Sequence, residues 1–241
     1  MLTQNLLGKV HNSMPTTLTF TLNGEIVHAD VQDAYNAGYT GRDQNSVKNH
    51  IAELKDQGVA PPSNIPTLFS VPSYMCSQSE VVEVPHENTS GEVEWALLYR
   101  GEEQSPLITV ASDHTDRQLE AYSVAASKQI SPNVMGNEAW DVAELGPEID
   151  RIQLLSRVKI GGEWTVLQHG YLGDLMSPAD WICRLKDSDR LAPGTVVLGG
   201  TLPMIRPDDQ FSKHWEVALV RPNGESIVKE YRVKIMKPSI V

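Results

Sequence analysis

Apolar and polar residues alternate from Thr17 to His28 around an Asn23-Gly24 pair. This pattern predicts a β-hairpin, Leu18-Thr19-Phe20-Thr21, a tight turn, then Glu25-Ile26-Val27-His28. The two glycines of Ala37-Gly38-Tyr39-Thr40-Gly41 read as the end of a strand that turns sharply. Val47, Ile51 and Leu54 then recur at helical spacing, which predicts a helix from Asn45 to Gln57 with Gly58 as its stop. Thr67 to Val71 forms a short strand closed by Pro72. From Glu80 onward strands dominate: Val81 to Val84, Gly91 to Tyr99, and Leu107 to Ser112. Gln118 to Ser127 is predicted helical, as is Pro178 to Leu185. Arg151 to Ile160 and Glu163 to His169 form a hairpin around Gly161-Gly162, and Trp215 to Val220 pairs with Ser226 to Ile235 around Pro222-Asn223-Gly224. Thr195 to Leu198 is a strand ending at Gly199-Gly200. Many short strands with few short helices, and no internal repeat, predict a β-dominated α+β fold.

Composition narrows the classes. With 241 residues, 40% hydrophobic and 21% charged, the chain is expected to form one globular domain with a small N-terminal appendage. The net charge of −11 argues against nucleic acid, which requires a basic footprint. It also means that an anionic substrate must be captured by local cations or a bound metal ion. No window is apolar over the length of a membrane span, and residues 1–10 carry no signal-peptide pattern. Cys76 and Cys183 form no C-x-x-C pair and are expected to be reduced thiols of a cytoplasmic protein.

Four short patterns carry candidate chemistry. Glu92 and Glu94 sit at i and i+2 of a predicted strand, so both carboxylates face one side. Two adjacent carboxylates repel unless they are solvated or share a cation, and a solvated strand face is the plain alternative. Asp113 follows the apolar strand Leu107 to Ala111 within Ser112-Asp113-His114-Thr115-Asp116-Arg117. It is a candidate third carboxylate, with helix capping as the alternative. Three hard oxygen ligands suit Mg²⁺ or Mn²⁺. His50 and Glu53 stand at i and i+3 of a predicted helix, a spacing at which a carboxylate orients an imidazole as general base, or at which both simply lie on a solvated face. Lys128 ends a predicted helix, where it either complements the helix dipole or serves as a cation beside the carboxylates. There is no P-loop, dinucleotide fingerprint or nucleophile elbow.

The order of these patterns is informative. Gly38-Tyr39, His50-x-x-Glu53, Pro66 to Pro72, Glu92-x-Glu94, Asp113-x-Thr115-x-Arg117, Lys128 and Gly194 to Thr201 follow one another. Over roughly residues 36–205 this succession resembles the fumarylacetoacetate hydrolase superfamily, and within it a bacterial branch like DUF2848. The resemblance implies a mixed β-sandwich roll with short helices as the catalytic domain over residues 36–241, preceded by a small hairpin segment over residues 1–35. It implies that Glu92, Glu94 and Asp113 hold Mg²⁺ or Mn²⁺. His50 and Glu53 would form the water-activating dyad, Lys128 would act beside the metal, and Arg42, Arg117 and Thr201 would contact substrate. The sequence departs from the family pattern at Ser112, where an asparagine is usual, at Gln118, where an aspartate is usual, and at Leu202, which interrupts Gly-Thr-Pro.

The expected activity is therefore divalent-metal-dependent hydrolysis of a C–C bond next to a carbonyl in a small 2-oxo or 2,4-dioxo acid. A hydratase or decarboxylase using the same metal site, or a non-catalytic β-fold binding module, are the alternatives. The expected partner is a small-molecule carboxylate, with neither nucleic acid nor membrane involved, and the expected assembly is a homodimer.

Overall fold

A computed structural model describes residues 16–45, 47–48, 51–52, 62 and 64–237. The N-terminal alternation forms the predicted hairpin, β1 (Thr16–Leu22) and β2 (Glu25–Val31), paired from Thr16–Val31 to Leu22–Glu25. Asn23 and Gly24 both take positive φ, as a tight hairpin turn demands. The chain continues through β3 (Asp33–Gly38), β4 (Thr67–Val71), β5 (Cys76–Ser77), β6 (Val81–Val84) and β7 (Thr89–Ser90). Next come two strands buried along nearly their whole length, β8 (Val93–Tyr99) and β9 (Leu107–Asp113), then β10 (Thr115–Asp116), β11 (Asn133–Met135) and β12 (Trp140–Asp141). The last five are β13 (Gln153–Ile160), β14 (Glu163–Tyr171), β15 (Thr195–Thr201), β16 (His214–Val220) and β17 (Ser226–Ile235).

Two large sheets result. One runs β4-β3-β15-β8-β9-β11-β5, with β12 also paired to β9, and the other runs β14-β13-β16-β17-β6. Alternation along the central strands gives the first sheet two apolar faces. Trp95, Leu97, Ile108, Val110 and Val197 pack with Leu154, Val217, Leu219 and Ile227 of the five-stranded sheet. Ala96, Leu98, Leu107, Ala111, Val196 and Leu198 lie under Leu18, Phe20 and Val31 of the N-terminal hairpin. Each Val, Leu, Ile or Phe among them contributes roughly 1.5–3 kcal/mol relative to exposure. Trp181 and Leu185 of the helix Pro178–Asp187 complete the first cluster.

The larger sheet is rolled. Asn36 on β3 and Asn133 on β11 exchange two side-chain amide hydrogen bonds, at 3.0 and 2.7 Å. Four strand spacings separate these strands, about 19 Å if the sheet were flat. Two asparagine side chains span that gap only because the sheet curls around them.

Two sequence expectations change. The helix expected from Gln118 to Ser127 is two short helices, Arg117–Glu120 and Val124–Lys128. Asp116 caps the first and Ser123 the second, so a cap serine interrupts the predicted run. The strand expected to stop at Gly199-Gly200 continues to Thr201, with a register shift between Leu198 and Thr201. A Cβ on Gly199 would fall 2.0 Å from the Trp95 ring, so only glycine lets the strand pass. Of the helix expected from Asn45 to Gln57, residues 44–45, 47–48 and 51–52 are helical; His50 and Glu53 lie outside the described residues.

Candidate metal centre

Glu94 lies on β8 opposite Ala111, and Asp113 ends the neighbouring β9. Glu92 immediately precedes β8, and its carbonyl accepts the Asp113 N–H at 3.1 Å. Pleating turns all three carboxylates to the same side, and one oxygen from each lies within 4.8 Å of the others. Glu94 and Asp113 are fully buried, while the Glu92 side chain is 14% exposed. The solvated-face alternative for the glutamates does not hold. Capping falls to Asp116, whose carboxylate accepts the N–H groups of Gln118 and Leu119, and not to Asp113.

Each carboxylate is held from outside the set. The backbone N–H of Gly200 donates to Glu94 Oε2 at 2.7 Å. Thr115 Oγ1 donates to Asp113 Oδ1 at 3.3 Å. Arg117 Nη2 donates to Glu92 Oε1 at 2.8 Å, while its Nε and Nη1 bind Ser90 and Glu120 at 2.6 and 2.7 Å. Lys128 Nζ lies against Asp113 and 3.5 Å from Glu92 Oε2.

Electrostatics follow from this crowding. Burial, and then the Asp113 charge, push the Glu94 carboxyl well above the ordinary carboxylate range. Burial alone would raise Glu92 as well, but Lys128 and Arg117 bring it below its ordinary value. Burial works against the charge on Lys128, yet Asp113 and Glu92 hold it protonated above its usual range. Arg117 is likewise held charged by Glu92 and Glu120, against the effect of its own burial. Glu92, Asp113 and Glu120 thus face two cations, and Glu94 adds a further carboxyl to the set, so negative charge exceeds positive. Clustered oxygen donors with unbalanced negative charge fit a hard divalent cation such as Mg²⁺ or Mn²⁺.

Behind this set, Tyr231 of β17 bridges to β9. Its hydroxyl is 2.9 Å from Ser112 Oγ and 3.1 Å from His114 Nδ1, and His114 Nε2 is 3.0 Å from Thr89 Oγ1. Burial drives the imidazole down to about 3, so it is neutral at physiological pH. Gly91 is required beneath this bridge, since a Cβ there would sit 2.2 Å from the Tyr231 hydroxyl.

A cleft of about 500 Å³ opens beside the carboxylates. It is lined by Glu92, Arg117 and Glu120 together with Thr201, Leu202, Pro203, Met204, Pro207 and Gln210. Thr201 therefore faces the cleft, although its hydroxyl donates to Val93 O at 2.7 Å and accepts from Gln168 at 2.8 Å. Arg42 is committed elsewhere: its guanidinium grips Asp150 in two bonds of 2.7 and 2.8 Å and donates to the Leu175 carbonyl. Sequence reasoning overlooked Ser90, Glu120 and Tyr231, and it took Gly200 only as part of the Gly194 to Thr201 segment, not as a donor to Glu94. Only Glu120 had a local signal, at i+3 from Arg117 on one helix.

The family described as "Protein of unknown function (DUF2848)" matches residues 37–231, and the chain belongs to it. No curated protein matches the sequence. Among solved structures, the chain resembles 2-keto-3-deoxy-D-arabinonate dehydratase complexed with magnesium and 2,5-dioxopentanoate. The identity is 15%, over 88% of this chain and 77% of that one, with a TM-score of 0.63. It also resembles fumarylpyruvate hydrolase from Pseudomonas aeruginosa in complex with Mn²⁺ and pyruvate, at 18% identity over 92% and 97%, TM-score 0.59. A third similar structure is 4-oxalocrotonate decarboxylase from Pseudomonas putida G7, complexed with calcium and acetate, at 14% identity over 84% and 77%, TM-score 0.52. At these identities the likeness is one of fold alone.

Proposed function

We propose that this member of the DUF2848 family is a divalent-metal-dependent enzyme that hydrolyses a C–C bond next to a carbonyl in a small 2-oxo or 2,4-dioxo acid. The observation that carries the proposal is the convergence of Glu92, Glu94 and Asp113 within 4.8 Å, beside a lysine held protonated. These three residues would hold Mg²⁺ or Mn²⁺, which supplies Lewis acidity toward a carboxylate and its adjacent carbonyl oxygen. Arg117 keeps Glu92 in place, and the Gly200 N–H does the same for Glu94. Lys128 Nζ presents a proton to an oxygen that gains negative charge as the bond breaks. His50, oriented by Glu53, would take a proton from water, leaving hydroxide to attack the second carbonyl carbon. That dyad comes from the sequence resemblance, since both residues lie outside the described ones.

The structures that resemble this chain include a dehydratase and a decarboxylase as well as a hydrolase, which supports a second reading with the same carboxylates and a different attacking group. Incubating the protein and Mg²⁺ with 2,4-dioxo acids, oxaloacetate and 2-oxo-enoates, then identifying the products, separates the two. The Glu92→Ala/Glu94→Ala variant after chelator treatment is expected to be inactive, and full activity in it would overturn the assignment of this site.

A further inference from the structure

The residues that line the cleft divide by chemistry. Leu202, Pro203, Met204 and Pro207 form an apolar wall. Its backbone is stiff, because both prolines fix φ. Leu202 is rooted in the main core cluster, and Met204 packs against the cluster around Trp215 and Tyr231. The charged part of the lining is Glu92, Arg117 and Glu120. Among the described residues lining the cleft, Arg117 is the only cation, and it already pairs with two carboxylates. Arg206, the guanidinium nearest in sequence to the wall, is exposed and lies 3.9 Å from Asp209.

We infer that the substrate carries a carboxylate at one end only and lays an uncharged, apolar substituent along Leu202, Pro203, Met204 and Pro207. This inference rests on the function proposed above, and it goes further by naming the distal group. A second carboxylate would enter a cleft in which, among the described residues, the one lining cation is already paired and Glu92 and Glu120 add negative charge. An alkyl group there instead removes apolar surface from water on both partners.

The test compares 2,4-dioxo acids bearing alkyl tails of increasing length with analogues of equal length ending in a carboxylate, each with Mg²⁺. We expect kcat/KM to rise roughly threefold per methylene until the wall is covered. We expect it to fall on the order of tenfold when the tail ends in a carboxylate. Equal or better turnover of the dicarboxylates overturns the inference while leaving the proposed activity intact. If no compound is cleaved, the proposed activity fails, and calorimetric binding of 2-oxohexanoate against 2-oxoadipate to the Mg²⁺-treated protein decides the inference alone. Tighter binding of the monoacid supports it, and equal or weaker binding sinks it. Met204→Lys places a free cation on the wall and should shift the preference toward the diacid by on the order of tenfold. An unchanged preference in a folded Met204→Lys protein also counts against the inference.

Discussion

The ammonium group of Lys128 lies against the carboxylate of Asp113, which precedes it by 15 residues, and the contact is buried. It ties the last turn of a five-residue helix to the end of β9. The lysine also reaches Glu92, so one cation neutralises part of a crowded acidic set.

Removing that cation exposes what it balances. Lys128→Met should destabilise the metal-free protein by about 3 kcal/mol, because buried carboxylates are left uncompensated. Mg²⁺ should restore part of that loss, giving a larger Mg²⁺-dependent rise in Tm than in the wild type. Calorimetric melts with chelator and with Mg²⁺ check this, and equal rises in both proteins would disprove it.

Arg117 acts through its shape as well as its charge. Lysine cannot reach Ser90, Glu120 and Glu92 together as the guanidinium does. Arg117→Lys should leave Tm within a few degrees of wild type yet weaken divalent-ion affinity about 10- to 100-fold through a loosened Glu92. Ion titration by calorimetry measures it directly.

Gly200 serves Glu94 from the backbone. Its φ is +93°, and a Cβ would fall 1.9 Å from Thr40 Oγ1. Gly200→Ala should cost about 3 kcal/mol or more in urea unfolding, through strain and a displaced N–H donor. Gly224 provides the control: its φ is +90°, but a Cβ there would meet nothing within 4 Å, so Gly224→Ala should cost distinctly less.

The raised Glu94 carboxyl makes stability depend on pH. The folded chain holds this proton more tightly than the unfolded chain, so Glu94 favours folding below the ordinary carboxyl range. That contribution is lost as pH rises through the elevated value. A divalent ion competes with the same proton, so the Mg²⁺-dependent gain in Tm should be larger at pH 7.5 than at pH 5. Glu94→Gln should abolish this difference, and melts of both proteins at the two pH values provide the measurement.

Much of the fold was legible in the chain. The Asn23-Gly24 turn with its alternating flanks, the apolar runs of β8 and β9, and the hairpin around Gly161-Gly162 are local signals, set by apolar pattern and turn chemistry. They specify which residues share a face. The sequence also marked Glu92, Glu94, Asp113, Arg117 and Lys128 as candidate chemistry, and the first three do meet.

What only the tertiary structure decided are the contacts that cross long stretches of chain. Gly200 reaches Glu94 across 106 residues, Tyr231 reaches Ser112 across 119, and Asn36 reaches Asn133 across 97. Local periodicity assigns a side chain to a face, but it does not say which distant face will cover it. That choice follows from how the two sheets roll and stack to bury their shared apolar surface. The same packing commits Arg42 to Asp150 and Arg117 to Glu92, two guanidiniums that sequence alone could not tell apart.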